Sequence, residues 1–154
     1  MSNGNYPLQA IFSIEREDWG SIILSDGSHL DVRFVLADLT ITAEDLLGAQ
    51  AIMNHTVVLR SRASPELIKK LADKPLPPET TIPMTKEEGF ENIEIQSVEK
   101  PIQSVYSFAG KLGKYSLTVE VYVQNVVRNM RFKTPNGAPI YNIRWTLSYR
   151  ITKV

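Results

Sequence analysis

His29 and Asp31 have the residue types and spacing of a small chemical site. They stand two positions apart in a strand-like segment, so both side chains project from one face, with Asp26 close by. An imidazole beside carboxylates can bind a metal ion or transfer protons, which makes this a candidate for a small-ligand site or a metal-dependent enzyme. The alternative interpretation is a surface histidine at the end of a hairpin. His55 is the only other histidine and there is no cysteine, so we expect neither a structural zinc site nor a cofactor.

A second candidate site lies in residues 111–154. They contain eight Lys and Arg side chains against one acid, Glu120, a net charge of +7 that balances the −7 of residues 1–110. One predicted face of the C-terminal hairpin carries the candidates for nucleic-acid or polyanion binding: Tyr122, Arg131, Lys133, Arg144 and Arg150. Base stacking needs aromatic rings among the cations, and only Tyr122, predicted to lie next to Arg150, meets this requirement. The alternatives are a solvated face or one neutralised by acidic residues of this chain or of a second copy.

Other catalytic motifs do not fit this chain. Gly110-Lys111-Leu112-Gly113-Lys114 resembles a phosphate-binding loop only superficially, because Tyr115 stands where such a loop needs serine or threonine. No serine lies in a Gly-x-Ser-x-Gly motif, and there is no His-Glu-x-x-His sequence. The sequence therefore favours a protein that is not an enzyme.

The elements that must position the basic residues are two long C-terminal strands. From Tyr141 to Thr152 apolar and polar residues alternate strictly, which predicts a strand with one buried face. In the preceding segment the apolar positions change from odd to even, and one extra residue near Gln124-Asn125 restores the phase, so we predict a β-bulge there. A turn centred on Asn136-Gly137 would pair Phe132 with Tyr141 and place Arg128 opposite Trp145.

An earlier hairpin must position His29 and Asp31. Asp26-Gly27 between two β-rich runs predicts a two-residue type I′ turn, which places Ile23 opposite Leu30. Residues 8–16, 56–60, 90–98 and 102–108 are also predicted to be strands.

Two helices are predicted between these strands. Thr42, with Asp45 three positions later, is typical of a helix N-terminus, and Ser64-Pro65 is typical of another that ends near Lys74. Four prolines within residues 75–89 predict a connecting arm outside the sheets.

The chain is therefore predicted to be α+β and predominantly antiparallel β, with about seven strands, two short helices and no internal repeat. We expect one domain over residues 1–154, or two β-rich halves, 1–74 and 90–154, joined by the arm. The polar N-terminal five residues lack the pattern of a secretion signal and no run is long enough to span a membrane, so we expect a cytoplasmic protein without a membrane partner. The leading functional hypothesis is a non-enzymatic, self-associating interaction module. Polyanion binding, and the enzyme or ligand site at His29 and Asp31, are the alternatives.

Overall fold

A computed structural model describes residues 6–154; the N-terminal five residues, on which the prediction about secretion depends, lie outside the described part. That part contains ten strands and one short helix. The strands are β1 Leu8–Ala10, β2 Phe12–Glu17, β3 Gly20–Leu24, β4 His29–Asp45, β5 Gly48–Arg62, β6 Phe90–Ile93, β7 Ile95–Lys100, β8 Ile102–Ala109, β9 Lys114–Asn129 and β10 Ile140–Lys153; helix α1 is Pro65–Lys70. The prediction of a mainly antiparallel β fold is confirmed. No helix among residues 6–154 has the length and hydropathy needed to cross a membrane.

The strands form two five-stranded sheets built on the same plan. In sheet A, β4 pairs with β5 on one edge and with β3 and β1 on the other, and β7 pairs with β3. In sheet B, β9 pairs with β10 on one edge and with β8 and β6 on the other, and β2 pairs with β8. The five strands of the first half therefore correspond in order to the five of the second, so the chain contains a structural repeat that its sequence does not predict.

Each half gives one strand to the sheet of the other half. The sequence predicts a single strand over residues 8–16, but β1 belongs to sheet A and β2 to sheet B. The chain crosses between the sheets at Ile11, which is 93 % exposed. The corresponding crossing lies at Glu94, between β6 and β7. Each crossing divides one predicted strand, residues 8–16 or residues 90–98, into two, which adds two strands to the fold.

The core lies between the inner faces of the two sheets. Its largest side chains include Phe34 from sheet A and Tyr106, Tyr115 and Leu117 from sheet B, all fully buried. The Tyr106 hydroxyl is not left unpaired, because it donates a hydrogen bond to Glu17 at 2.7 Å. Burial of such side chains is the main favourable term in folding, at about 1.5–3 kcal/mol for each.

The helix predicted at Thr42 is wrong. Residues 29–45 form one continuous strand in which Leu39 and Ile41 are buried, and the turn to β5 follows Asp45 directly. The Asp45 carboxylate accepts a hydrogen bond from the Leu47 amide at 2.8 Å, which stabilises a tight turn instead of a helix end. The helix predicted at Ser64 is confirmed at its start, where the Ser64 hydroxyl accepts from the Leu67 amide, but the helix ends at Lys70.

The turn at Asp26-Gly27 differs from the predicted type I′ turn. Only Gly27 has a positive φ, of 83°, and the Leu24 amide donates to the Ser28 carbonyl, so the loop has three residues. The register is consequently shifted by one residue, and Ile23 lies opposite His29.

The C-terminal hairpin confirms the predicted bulge and corrects the predicted register. Asn125 pairs with Arg144 and Val123 with Trp145, which leaves Gln124 as the extra residue. Tyr141, however, lies opposite Arg128 instead of Phe132, a shift of four residues. The shift is even, so the residues that lie within β9 and β10 keep their predicted faces, whereas Arg131 and Lys133 lie outside the strands.

The register shifts because β9 ends early, at Asn129. The buried Asn129 side chain donates to the Glu88 carbonyl at 3.0 Å and accepts from the Arg131 amide at 2.9 Å, which turns the chain out of the sheet. The connection is then a long loop, since the prolines at 135 and 139 have no amide hydrogen to donate. The arm, residues 75–89, contains no helix or strand and packs beside this loop, where the Lys133 amide donates to the Pro75 carbonyl.

Candidate functional site

The structure distributes the five predicted polyanion-binding residues over separate regions. Tyr122 lies opposite Thr146 and donates its hydroxyl hydrogen to Glu120. Arg150 lies opposite Thr118, four residues away from Tyr122 along β9, so the predicted neighbourhood of Tyr122 and Arg150 is wrong.

The other three candidates lie nearer the loop that connects β9 and β10. Lys133 Nζ donates to the Ala72 carbonyl at 2.7 Å, just after helix α1, and Arg131 lies against Gly89 of the arm. Arg144 stays on the outer face of β10, beside the bulge.

Two acidic residues, one from each half of the chain, neutralise one cation of the basic segment. Arg128 is mostly buried and binds Asp26 at 3.0 Å and Glu91 at 2.7 Å. It lies opposite Tyr141, so its predicted position opposite Trp145 is wrong. Burial alone would raise the pKa of Asp26, but hydrogen bonds from Tyr141, Ser28 and Arg128 outweigh it and hold the pKa below the ordinary value. Asp26 therefore joins the two halves as an ionised, fully hydrogen-bonded carboxylate.

His29 and Asp31 share the outer face of sheet A, as predicted, but have separate partners. His29 Nδ1 lies 3.1 Å from the Glu99 carboxylate. The Asp31 side chain is only 3 % exposed and accepts hydrogen bonds from Arg60 at 2.9 Å and from both ends of the Arg62 guanidinium at 2.9 and 3.0 Å. Two guanidinium groups therefore surround Asp31, and Ser21 connects them to Glu99, because its hydroxyl accepts from Arg62 at 3.3 Å and donates to Glu99 at 3.4 Å.

The environment of Asp31 is that of a structural ion cluster. Burial would raise its pKa, but the bonds from Arg62, Arg60 and Ser21 outweigh it and the pKa is lowered. The guanidinium carbon of Arg60 also lies 4.4 Å from the ring centre of Trp19, a cation–π contact. Residues 6–154 contain no group of three histidine or acidic side chains placed to hold a metal ion.

A polar depression lies on the outer face of sheet B, next to the bulge. We call it the asparagine groove and define it by Asn92, Asn125, Asn142 and Arg144; its volume is about 570 Å³. Strands β6, β9 and β10 position it, because Asn92 and Asn142 both pair with Val127, and Asn125 pairs with Arg144 in the next row. Met84, from the arm, forms part of the wall.

The four side chains that define this groove make no hydrogen bond or ion pair with another group in residues 6–154. Asn129, one row further along, instead uses its side chain to donate and to accept within the fold. The alternation of β10 predicts that Asn142 and Arg144 share a face, and the predicted bulge explains why Asn125 lies on that face too. The sequence does not predict that Asn92 belongs to this group, because no local pattern links it to a strand fifty residues later.

Three leucines are exposed where two turns meet, and we call them the leucine tip: Leu46, Leu47 and Leu112. Leu46 and Leu47 are 93 % and 97 % exposed, and Leu112 is 53 % exposed. The Glu44 carboxylate holds the two turns together, since it accepts from the backbone amides of Lys111 at 2.8 Å and Leu112 at 2.9 Å. The tip therefore has a base held by hydrogen bonds and an apolar end at which Leu46 and Leu47 are almost fully exposed.

Comparisons of the chain with protein-family models, with curated proteins and with solved structures found no match. Inferences about function therefore depend on the geometry of the groove, the tip and the charged residues.

Proposed function

We propose that this protein is a non-enzymatic interaction module that self-associates through the leucine tip. The carrying observation is that Leu46 and Leu47, adjacent in one tight turn, are almost fully exposed. Neither side chain contributes to the core, and burying a leucine in a contact gains about 1.5–3 kcal/mol before the cost of association. Together with Leu112, these two adjacent leucines form an exposed apolar patch, which is typical of a contact surface.

The charges beside the tip favour a second copy of this chain as the partner. Asp45 is exposed next to the leucines, and Lys111 and Lys114 lie in the adjoining turn and at the start of β9. In a two-fold symmetric contact the same patch meets itself, so Asp45 of one copy can approach the lysines of the other. Charges of both signs around an apolar centre suit such a self-complementary interface.

Three carboxylates are engaged by hydrogen-bond donors of the fold itself, which supports binding over catalysis. Asp26, Asp31 and Glu44 each accept hydrogen bonds from donors of the fold, which lower their pKa values further from neutrality. A general acid or base needs a pKa near the working pH, and these three groups are shifted away from it.

Sedimentation equilibrium of the Leu46→Ser, Leu47→Ser double variant tests self-association. The wild-type chain is expected to form a concentration-dependent dimer, and the double variant to weaken it at least tenfold, since two apolar contacts are lost. Leu76→Ser is the matched control, because Leu76 is an exposed leucine of the arm, away from the tip. A strictly monomeric wild type, or equal weakening by both changes, would refute the proposal.

Polyanion binding is the second candidate function, because Arg144 and Arg150 are exposed and form no ion pair among residues 6–154. Titration with a single-stranded oligonucleotide at several salt concentrations tests it: the affinity should fall as salt rises and fall further in the Arg144→Glu, Arg150→Glu variant. Lys69→Glu, Lys70→Glu on helix α1 is the charge-matched control. No binding at low salt excludes this function.

A further inference from the structure

We propose that the asparagine groove binds an extended peptide segment that carries a carboxylate. The site is distinct from the leucine tip and does not depend on self-association.

The carboxamides of the groove suit a peptide backbone. Each asparagine side chain offers a carbonyl acceptor and two N–H donors, the same groups that a peptide unit needs from a partner. Asn92 and Asn142 flank Val127 on neighbouring strands, so they lie about 10 Å apart across the sheet. Asn125 lies two residues along β9 from Val127, about 7 Å away, which is also the two-residue repeat of an extended peptide.

Arg144 gives the groove its charge preference. Its guanidinium lies in the same row as Asn125 and has no acidic partner among the described residues. No carboxylate lines the groove, so a bound anion meets one cation and several amide donors. A guanidinium binds a carboxylate through two parallel hydrogen bonds, which favours this group over a neutral ligand end.

The apolar part of the groove suits a side chain of the peptide. Val127 forms part of the floor and Met84 part of the wall, and Met84 is 62 % exposed, so contact with a ligand would remove apolar surface from water. A methionine adapts its shape to different side chains, which favours recognition of backbone and charge over one fixed sequence. The volume of about 570 Å³ accommodates a few residues and lies within the range of ligand sites.

The test uses three probes that separate the sources of the carboxylate. They are N-acetylated hexapeptides of alternating valine and alanine: one with a free C-terminal acid, one with a C-terminal amide, and one amidated with a central glutamate. Binding is followed by amide chemical-shift changes in the full chain, with acetate alone as a fourth titrant. Either carboxylate probe, or both, is expected to bind at least tenfold more tightly than the neutral peptide, with shifts around Asn125 and Asn142.

Arg144→Gln should remove this preference, and Lys153→Gln, which neutralises an exposed cation nine residues along the same strand, is the matched control that should keep it. Asn142→Ala should weaken all three peptides and leave acetate unchanged. Equal binding of the acid and neutral peptides, or equal effects of acetate and the acid peptides, overturns the proposal. So does the absence of binding by every peptide at millimolar concentration. The leucine-tip variants should behave as wild type in this assay, which separates this proposal from self-association.

Discussion

Asp26, Asp31 and Glu44 illustrate how this protein stabilises charge inside a β fold. Burial alone would raise the pKa of Glu44, but bonds from the Tyr115 hydroxyl and from two backbone amides outweigh it, so the pKa is lowered. Burial, and to a smaller extent the Glu44 carboxylate, raise the pKa of Tyr115 to about 12. At each of the three sites the folded state favours the ionised carboxylate, and so each contributes to stability at neutral pH.

These carboxylates predict a fall in stability in acid. Their folded pKa values lie below ordinary values of 3.8 for the aspartates and 4.5 for Glu44, so the unfolded chain binds more protons as the pH falls. The contribution is fully present above about pH 5 and is lost as the pH falls through the folded pKa values. Urea unfolding between pH 3 and 7 should show this slope, and Asp31→Asn should make it shallower while lowering stability at pH 7 by about 2 kcal/mol. If the free energy of unfolding changes equally with pH in the wild type and in Asp31→Asn, Asp31 is not a source of the pH dependence.

Local patterns identify residues that share a strand but not partners from distant strands. That His29 and Asp31 share a face follows from their spacing, whereas the arginines that bind Asp31 lie about thirty residues later in β5. The same limit applies in the groove, where Asn142 and Arg144 are predictable together and Asn92 is not. A candidate site can therefore be located from sequence here, but its partners depend on strand pairing.

At the scale of the elements, alternation predicts faces more reliably than register. The bulge at Gln124 follows from the change of phase, because a strand cannot change faces without an extra residue. The hairpin register does not follow, because the Asn136-Gly137 turn signal lies inside a longer loop that begins after Asn129. The helix wrongly predicted at Thr42 also results from an ambiguous local signal. An aspartate that accepts a hydrogen bond from a nearby amide, as Asp45 does, can stabilise a turn as well as a helix start.

The three-residue turn at Gly27 makes a quantitative prediction. Gly27 has a φ of 83° and a Cβ added at this position would meet only the Ser64 Cβ, at 3.7 Å, so the cost of a side chain there is conformational and not a clash. Gly27→Ala should destabilise the protein by about 1 kcal/mol, and Gly27→Asn by less, because asparagine tolerates this backbone region better. Denaturant midpoints at constant m-value measure both changes. Equal costs for alanine and asparagine would indicate that the backbone conformation is not the cause.

The exchange of β2 and β7 between the sheets is the organising feature of the whole molecule. Residues 8–62 alone would lack β7, the partner of β3. Residues 90–153 alone would lack β2, the partner of β8. Neither half of the repeat can complete its own sheet. The repeat escapes detection in the sequence because matching strands need only similar length and alternation, which many different side chains satisfy.

This exchange predicts that the halves fold together or not at all. A protease site inserted between Glu79 and Thr80, both exposed in the arm, cuts the chain without removing a strand. The cut protein should stay assembled at neutral pH, because the exchanged strands and the Asp26–Arg128 ion pair still join the fragments. Each separated fragment should be unfolded by circular dichroism, and mixing should restore the β spectrum in a concentration-dependent way. Uncut protein should unfold in one transition with the same midpoint by tryptophan fluorescence and by circular dichroism. A fragment that folds alone, or two transitions in the uncut chain, would show that the halves are independent domains and that the exchanged strands contribute little to their stability.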